Sequence, residues 1–309
     1  RTLPGFGTWY AHHIYPWIVE GVGRLTGLLP FSVAEMGLYG LLCLLFLDVV
    51  RLSAALIRPE TAKILTVIGR RWLLIVGTLL FLYTVNCGIN YYASSFSSYA
   101  GLEDGTYTEE ELEALCSDLV ELVNESAKSG RQFYRENRSA WRAEAVTAMQ
   151  AAGEQFSCLG GFYPKPKEIL VSQILSVQQL CGVYSPFTVE ANYNGDMPDY
   201  NVPHTLCHEL SHLKGFMRED EANFIGYLAC ISSENEAFRY SGYLTGWVYA
   251  GNALARADRK RYIELTKQLC GEARQDLDEN SDFWNRYESR VSEAATRMND
   301  TYLKMNSQA

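Results

Sequence analysis

The chain has 309 residues, 48% of them hydrophobic and 20% charged, with a net charge of −9. That length admits a membrane part plus one sizeable globular domain, and the acidic balance excludes a nucleic-acid partner, because phosphate binding needs a basic face. None of the eight cysteines stands in a C-x-x-C pair, which argues against a zinc ribbon or a thioredoxin-type redox centre.

The composition shifts near residue 92. Two apolar stretches precede the shift, one centred on Gly37–Val50 and extendable over about 34–57, the other running over 72–93. About 20 residues cross the ~30 Å hydrocarbon core, so both read as transmembrane helices and residues 1–93 as a membrane anchor. Glu35 and Asp48 stand at the ends of the first. The segment between the spans carries Arg51, Arg58, Lys63, Arg70 and Arg71, whereas only Arg1 and Arg24 precede Gly37. The positive-inside rule places that loop in the cytoplasm. Residues 1–33 and everything after 93 then lie outside, which describes a multi-pass cell-membrane protein and calls for a further span upstream of Arg1. Tyr91 and Tyr92 sit where an interfacial aromatic belt belongs.

Residues 94–309 read as one extracytoplasmic, α-rich domain with a small β element. Thr108-Glu109-Glu110-Glu111 is a capping box ahead of a helical apolar pattern. A second helix is predicted over 139–156, and Gly160, Gly161, Pro164 and Pro166 break the pattern. Residues 182–193, GVYSPFTVEANY, read as one or two strands before an Asn194-Gly195-Asp196 turn. Helices are predicted over 204–214, 219–233, 235–256, 259–275 and 281–303. The six cysteines of this domain, Cys116, Cys158, Cys181, Cys207, Cys230 and Cys270, are either small buried residues or partners in disulfides whose pairing the spacing leaves open.

The chemistry lies in 203–224, PHTLCHELSHLKGFMREDEANF. Pro203 suits a first helical turn and Gly215 the position that ends the helix. His208 and His212 are four apart, so their imidazoles share a face and can bind one metal ion. In the HExxH arrangement the intervening Glu209 takes a proton from water that zinc has made acidic. Arg218 stands where the HExxHxxGxxH pattern carries its third histidine, and a cation cannot coordinate. Glu219, Ala222 and Asn223 instead match the E-x-x-A-[D/N] pattern of gluzincin-type peptidases, which implies Glu219 as third ligand and Asn223 as support for a ligand histidine. Glu221 is the alternative ligand, and the linker from His212 is short beside thermolysin-like enzymes. One Zn²⁺ is expected, although two histidines and a carboxylate with an open position suit other divalent ions too.

The chain also resembles a bacterial family of membrane proteins classed as a domain of unknown function. The resemblance rests on INYYA after the last span, SPFTVEANYN before the motif, CHELSHLKGFMREDEANF, and NDTYLKMN near the end, and it covers nearly the whole chain. It implies a zincin-like fold, a further span upstream and a short tail downstream; it implies a peptidase only through HELSH. In zincins the strand before the active-site helix borders the cleft and pairs with an extended peptide. Here that strand is 186–192, with Thr188, Val189 and Glu190 as candidate substrate contacts. For the oxyanion of a tetrahedral intermediate, Arg239 and Tyr243 share a helical face and are candidates; His204, one turn before His208, lines the cleft, caps or packs.

Two readings follow. One is a membrane-anchored zinc peptidase acting outside the bilayer on a peptide or protein substrate, with Glu209 as general base. The other is a non-catalytic membrane sensor or assembly protein with a structural zinc, closed by His204 or Glu221 as fourth ligand. Cleavage inside the bilayer is not expected, because HELSH lies in a polar domain more than 100 residues past the last span.

Overall fold

A computed structural model describes residues 3–55, 61–102, 105–136 and 140–306, and over them the chain is mainly helical with one three-stranded sheet. Arg1 and Arg58, and the ends at 57, 139 and 309 of the segments expected above, lie outside the described residues.

Two short helices open the chain, α1 (Phe6–His13) and α2 (Tyr15–Gly27). Pro16 sits in the first turn of α2, where a missing N–H leaves no ladder bond unmade. Two long apolar helices follow, α3 (Val33–Ala55) and α4 (Thr61–Tyr83). The second continues through a π-type turn (Thr84–Gly88) and a 3₁₀ turn (Asn90–Tyr92). Mean hydropathy reaches 2.0 in α3 and 1.9 in the 61–92 stretch, yet only 11% of each apolar window is buried by protein. Both are long and apolar enough to cross a bilayer, which points to membrane association. The second helix begins at Thr61 rather than at Trp72, and α3 is helical through Ala55, so much of the expected 51–71 loop is helix. The reason is local: Arg71 pairs with Asp48 of α3, and the Trp72 indole N–H donates to the same carboxylate at 2.9 Å. A neutralised arginine does not break an apolar helix.

The rest of the chain supplies α5 (Phe96–Ala100), α6 (Glu109–Glu136), α7 (Trp141–Gln155), β1 (Lys167–Glu168), α8 (Gln173–Val177), β2 (Gly182–Ser185) and β3 (Glu190–Tyr193). Then come α9 (Asn201–Leu213), α10 (Glu219–Ile231), α11 (Glu236–Ala257), α12 (Arg259–Thr266), α13 (Gly271–Asn285) and α14 (Arg290–Met305). The predicted capping box starts α6: Thr108 Oγ1 accepts from Glu111 N at 3.2 Å, and Glu111 Oε2 accepts from Thr108 N at 2.8 Å. The last helices are three, not two. Cys270 caps α13 through its sulfur, and a Ser289/Ser292 capping box starts α14. Apolar periodicity runs across those junctions and hides them. All eight cysteines are free thiols.

The sheet order is β1-β3-β2, with β3 parallel to β1 and antiparallel to β2. The main core lies between α6, α7, α9, α10 and α11, with Trp141, Trp247, Phe238 and Tyr240 fully buried. A second core joins Tyr10, Tyr15 and Val19 to Cys87, Tyr91, Tyr184, Val189, Leu213 and Met217. Tyr15 and Tyr184 share a hydroxyl hydrogen bond of 2.8 Å, and Lys167 Nζ donates to Thr26 O at 2.6 Å. The composition boundary near 93 is therefore not a packing boundary: α1 and α2 belong to the body formed by the later residues.

Candidate metal centre

Pro203 lies in the first turn of α9, and Gly215, with φ of 101°, ends it as a left-handed residue. The six-residue linker to Glu219 folds tightly, and its Phe216 carbonyl accepts from His212 Nδ1 at 2.8 Å. That contact fixes the tautomer and leaves the Nε2 lone pair free. α10 approaches α9 at Gly226, where a Cβ would stand 3.2 Å from both His204 Nε2 and the His208 amide nitrogen. This close crossing carries Glu219 over the two histidines.

Glu219 Oε2 lies 3.3 Å from His208 Nε2, and Oε1 lies 3.6 Å from His212 Nε2. One donor atom from each of the three residues falls within 4.8 Å of the others. Three ligands at ~2.1 Å around a tetrahedral ion stand roughly 3.4 Å apart, so the spacing fits a first-row divalent metal. Burial and His208 push the His212 imidazole down to about 4, which keeps it neutral and able to coordinate at neutral pH. Burial opposes ionising Glu219, but its hydrogen bond to His208 and the charges of both histidines hold it at about 2. For His208, burial pulls the pKa down, while Glu219, Glu209 and a hydrogen bond that the ring donates to the Asn223 side chain more than offset it.

Glu209 is buried, and its Oε2 has no hydrogen-bond partner. Burial pushes its carboxyl up to about 8, against the lowering effect of His208. An acid placed so is neutral at pH 7 unless a positive charge lies close. A divalent ion among the three donors supplies that charge, and this orphaned oxygen is the second respect in which the residues fit a metal.

The donors open onto a cleft of about 720 Å³. His204 lines it but turns its Nε2 to the Asn223 carbonyl at 3.1 Å. Glu221 accepts from the Phe96 amide at 3.1 Å and pairs with Arg218. Neither converges on the histidines, so the side facing the cleft stays open.

The substrate candidates Thr188, Val189 and Glu190 do not line the cleft. The 182–193 stretch is two strands broken by a turn at 186–189, in which Thr188 donates to Ser185 Oγ at 2.9 Å and Val189 is buried at φ 53°. β3 is the central strand, so its main chain is already paired on both sides. Glu190 is buried, pairs with Lys167 and accepts from the Val33 and Ala34 amides, which caps α3. The strand at the cleft is β2, an edge strand, through Gly182, Val183 and Tyr184. Gly182 is required there: a Cβ would meet Glu209 Oε1 at 2.6 Å.

Arg239 and Tyr243 face away from the cleft. Arg239 binds Glu236 and the Ser233 carbonyl, and Tyr243 packs on the main core. The cleft face of α11 is Thr245, Val248 and Tyr249, an i, i+3, i+4 set one register over. Tyr249 lies near Glu219; burial, Cys181 and Glu219 raise its hydroxyl pKa, so it stays a donor. Asn299 and Tyr302 of α14, within the NDTYLKMN segment, close another side.

No curated protein and no solved structure is significantly similar to the chain. A family model described as "Protein of unknown function (DUF3810)" matches residues 10–309, and the chain belongs to that family.

Proposed function

We propose that the protein is a membrane-anchored zinc peptidase of gluzincin-like chemistry, with His208, His212 and Glu219 holding one Zn²⁺. The observation that carries this reading is the convergence of those three donors on an open cleft, with the unpartnered Oε2 of Glu209 beside them. Bound zinc supplies Lewis-acid chemistry, making water more acidic and polarising a carbonyl. The edge of β2 aligns an extended peptide by main-chain hydrogen bonds. Glu209 takes a proton from the attacking water and passes it to the departing amine, so water adds across the peptide bond. Tyr249 donates to the oxygen on which charge develops. Asn223 and the Phe216 carbonyl orient His208 and His212.

In this reading α3 and α4 cross the cell membrane, with Lys63 at the cytoplasmic end and Arg51 and Arg70 in the cytoplasmic third of the span, their long side chains reaching toward that surface. The packed body of α1, α2 and residues after 93 lies outside. The test uses the full chain in lipid nanodiscs: metal content by elemental analysis, and cleavage of a peptide library by wild type and Glu209→Gln. About one zinc per chain, with cleavage lost in Glu209→Gln and zinc kept, is the expected result. Cleavage unchanged in that variant refutes the mechanism, and no metal in either protein refutes the site.

A further inference from the structure

Tyr83, Cys87 and Tyr91, from the end of the second apolar helix, line the same cleft as the metal-binding residues. The register of the two apolar helices fixes where that wall stands. α3 and α4 are joined at their far end, where Thr61 Oγ1 donates to Ala55 O, and Asp48 pairs with Arg71. Asp48 lies thirteen residues after Glu35, and Arg71 lies thirteen before Thr84. At an equal rise of 1.5 Å per residue, Glu35 and Thr84 stand at one level, about 20 Å from the ion pair. Glu35 is fixed to the globular body, accepting from the Leu170 and Val171 amides at 2.8 and 3.0 Å. Immediately after it α3 turns apolar side chains outward. That level is the outer edge of the apolar layer, and the turns from Thr84 to Tyr92 occupy the roughly 10 Å above it, enough to cross the headgroup layer of about 5–8 Å.

The edge of β2 spans this layer. Its last residues are tied to the helix end: Asn86 Nδ2 donates to Pro186 O at 2.7 Å, and Tyr184 Oη donates to Asn86 O at 3.2 Å. Its first residue, Gly182, abuts Glu209. The strand therefore runs from the general base to the outer edge of the apolar layer in four residues, about 13 Å. Asn194 N donates to Cys181 O at 2.8 Å; by antiparallel alternation the main-chain groups of Gly182 and Tyr184 point to the free edge.

We propose that the substrate is a polypeptide itself held in the bilayer, cut in its extracytoplasmic juxtamembrane stretch within about eight residues of the membrane surface. The proposal deepens the peptidase reading and rests on it. A chain leaving the bilayer beside α4 meets the free edge of β2 at once, and a few extended residues carry it to Glu209.

The test places the full zinc-loaded chain in liposomes with three peptide libraries of one randomised core. In the first the core starts about 4 residues from an N-terminal palmitoyl anchor; in the second about 25 flexible Gly/Ser residues separate them; the third has no lipid. Mass spectrometry reads cut positions and rates, and zinc content is measured alongside. The expected result is cleavage of the near library at least tenfold faster than the far one, with the free library slowest. Near and far libraries cut at equal rates would show that anchoring only concentrates the substrate, and would overturn the proposal while leaving the peptidase reading in place. Preference for the free library would do the same. No cleavage of any library by zinc-loaded protein overturns both.

Discussion

On the peptidase reading, Gly182→Ala isolates the placement of Glu209 as general base from the binding of zinc. The added methyl would stand 2.6 Å from Glu209 Oε1, 2.8 Å from its Cγ and 2.8 Å from the Asn192 carbonyl oxygen. Carbon contacts rest at about 3.5–4.0 Å, so about 1 Å of movement is needed. The Asn192 carbonyl belongs to the central strand and holds its place, so β2 must shift away from it at residue 182 and the Glu209 side chain must swing. A displacement of about 1 Å at a reacting group costs on the order of 10²-fold in rate, and overpacking of this kind costs about 1–3 kcal/mol of stability. His208, His212 and Glu219 do not touch Gly182, so zinc should stay. The assay is kcat/KM on a cleaved library peptide with full chain in nanodiscs, beside zinc content and a denaturant midpoint. A rate down by about 100-fold with zinc unchanged is expected. Full activity despite the predicted loss of stability would refute the claim that contact with β2 sets the base.

Glu219→Ala should weaken zinc binding more than Asn223→Ala, for which a loss of about 10–100-fold is expected; competition with a chromophoric chelator measures both, and equal losses would deny Glu219 its place as a ligand. Glu190→Ala leaves Lys167 buried without its partner, so a loss of about 3–5 kcal/mol is expected. Lys167→Met with Glu190→Leu should recover only part of it, because the Val33 and Ala34 amides still lose their cap, with KM unchanged throughout; a raised KM at full stability would return Glu190 to the substrate. Tyr249→Phe removes one hydroxyl from the cleft and should lower kcat by about 10²-fold with KM and zinc content little changed; a change in KM alone would make Tyr249 a binding contact.

HELSH and the carboxylate that follows it were legible because a helix converts spacing into direction: residues four apart point one way whatever surrounds them. Gly215 marked the helix end for an equally local reason, its positive φ. What the sequence could not disclose was which neighbour each element meets. Glu190 stands in a strand-like run just before the motif, yet β3 is sandwiched between β1 and β2, and its carboxylate serves a helix 156 residues away. Arg239 and Tyr243 lie on the right helix but the wrong face, because nothing local states which side of α11 meets α9. Arg70 and Arg71 marked a loop by charge, and only the partner Asp48, 23 residues earlier, makes Arg71 part of a helix.

The joining of Tyr15 to Tyr184 spans 169 residues, and that sets an order of events during synthesis. At 5–20 residues per second the ribosome needs roughly ten to thirty seconds to travel between the two. Through that interval the opening helices have Val85, Cys87 and Tyr91 to pack on, but Tyr15 lacks Tyr184 and Val189. Leu213 and Met217, which flank the His212 end of the metal centre, also stay uncovered until those helices fold back. Closure is then a long-range step of high contact order, which is slow. The His212 end of the site is covered only once the first helices of the chain have docked on residues made about two hundred positions later.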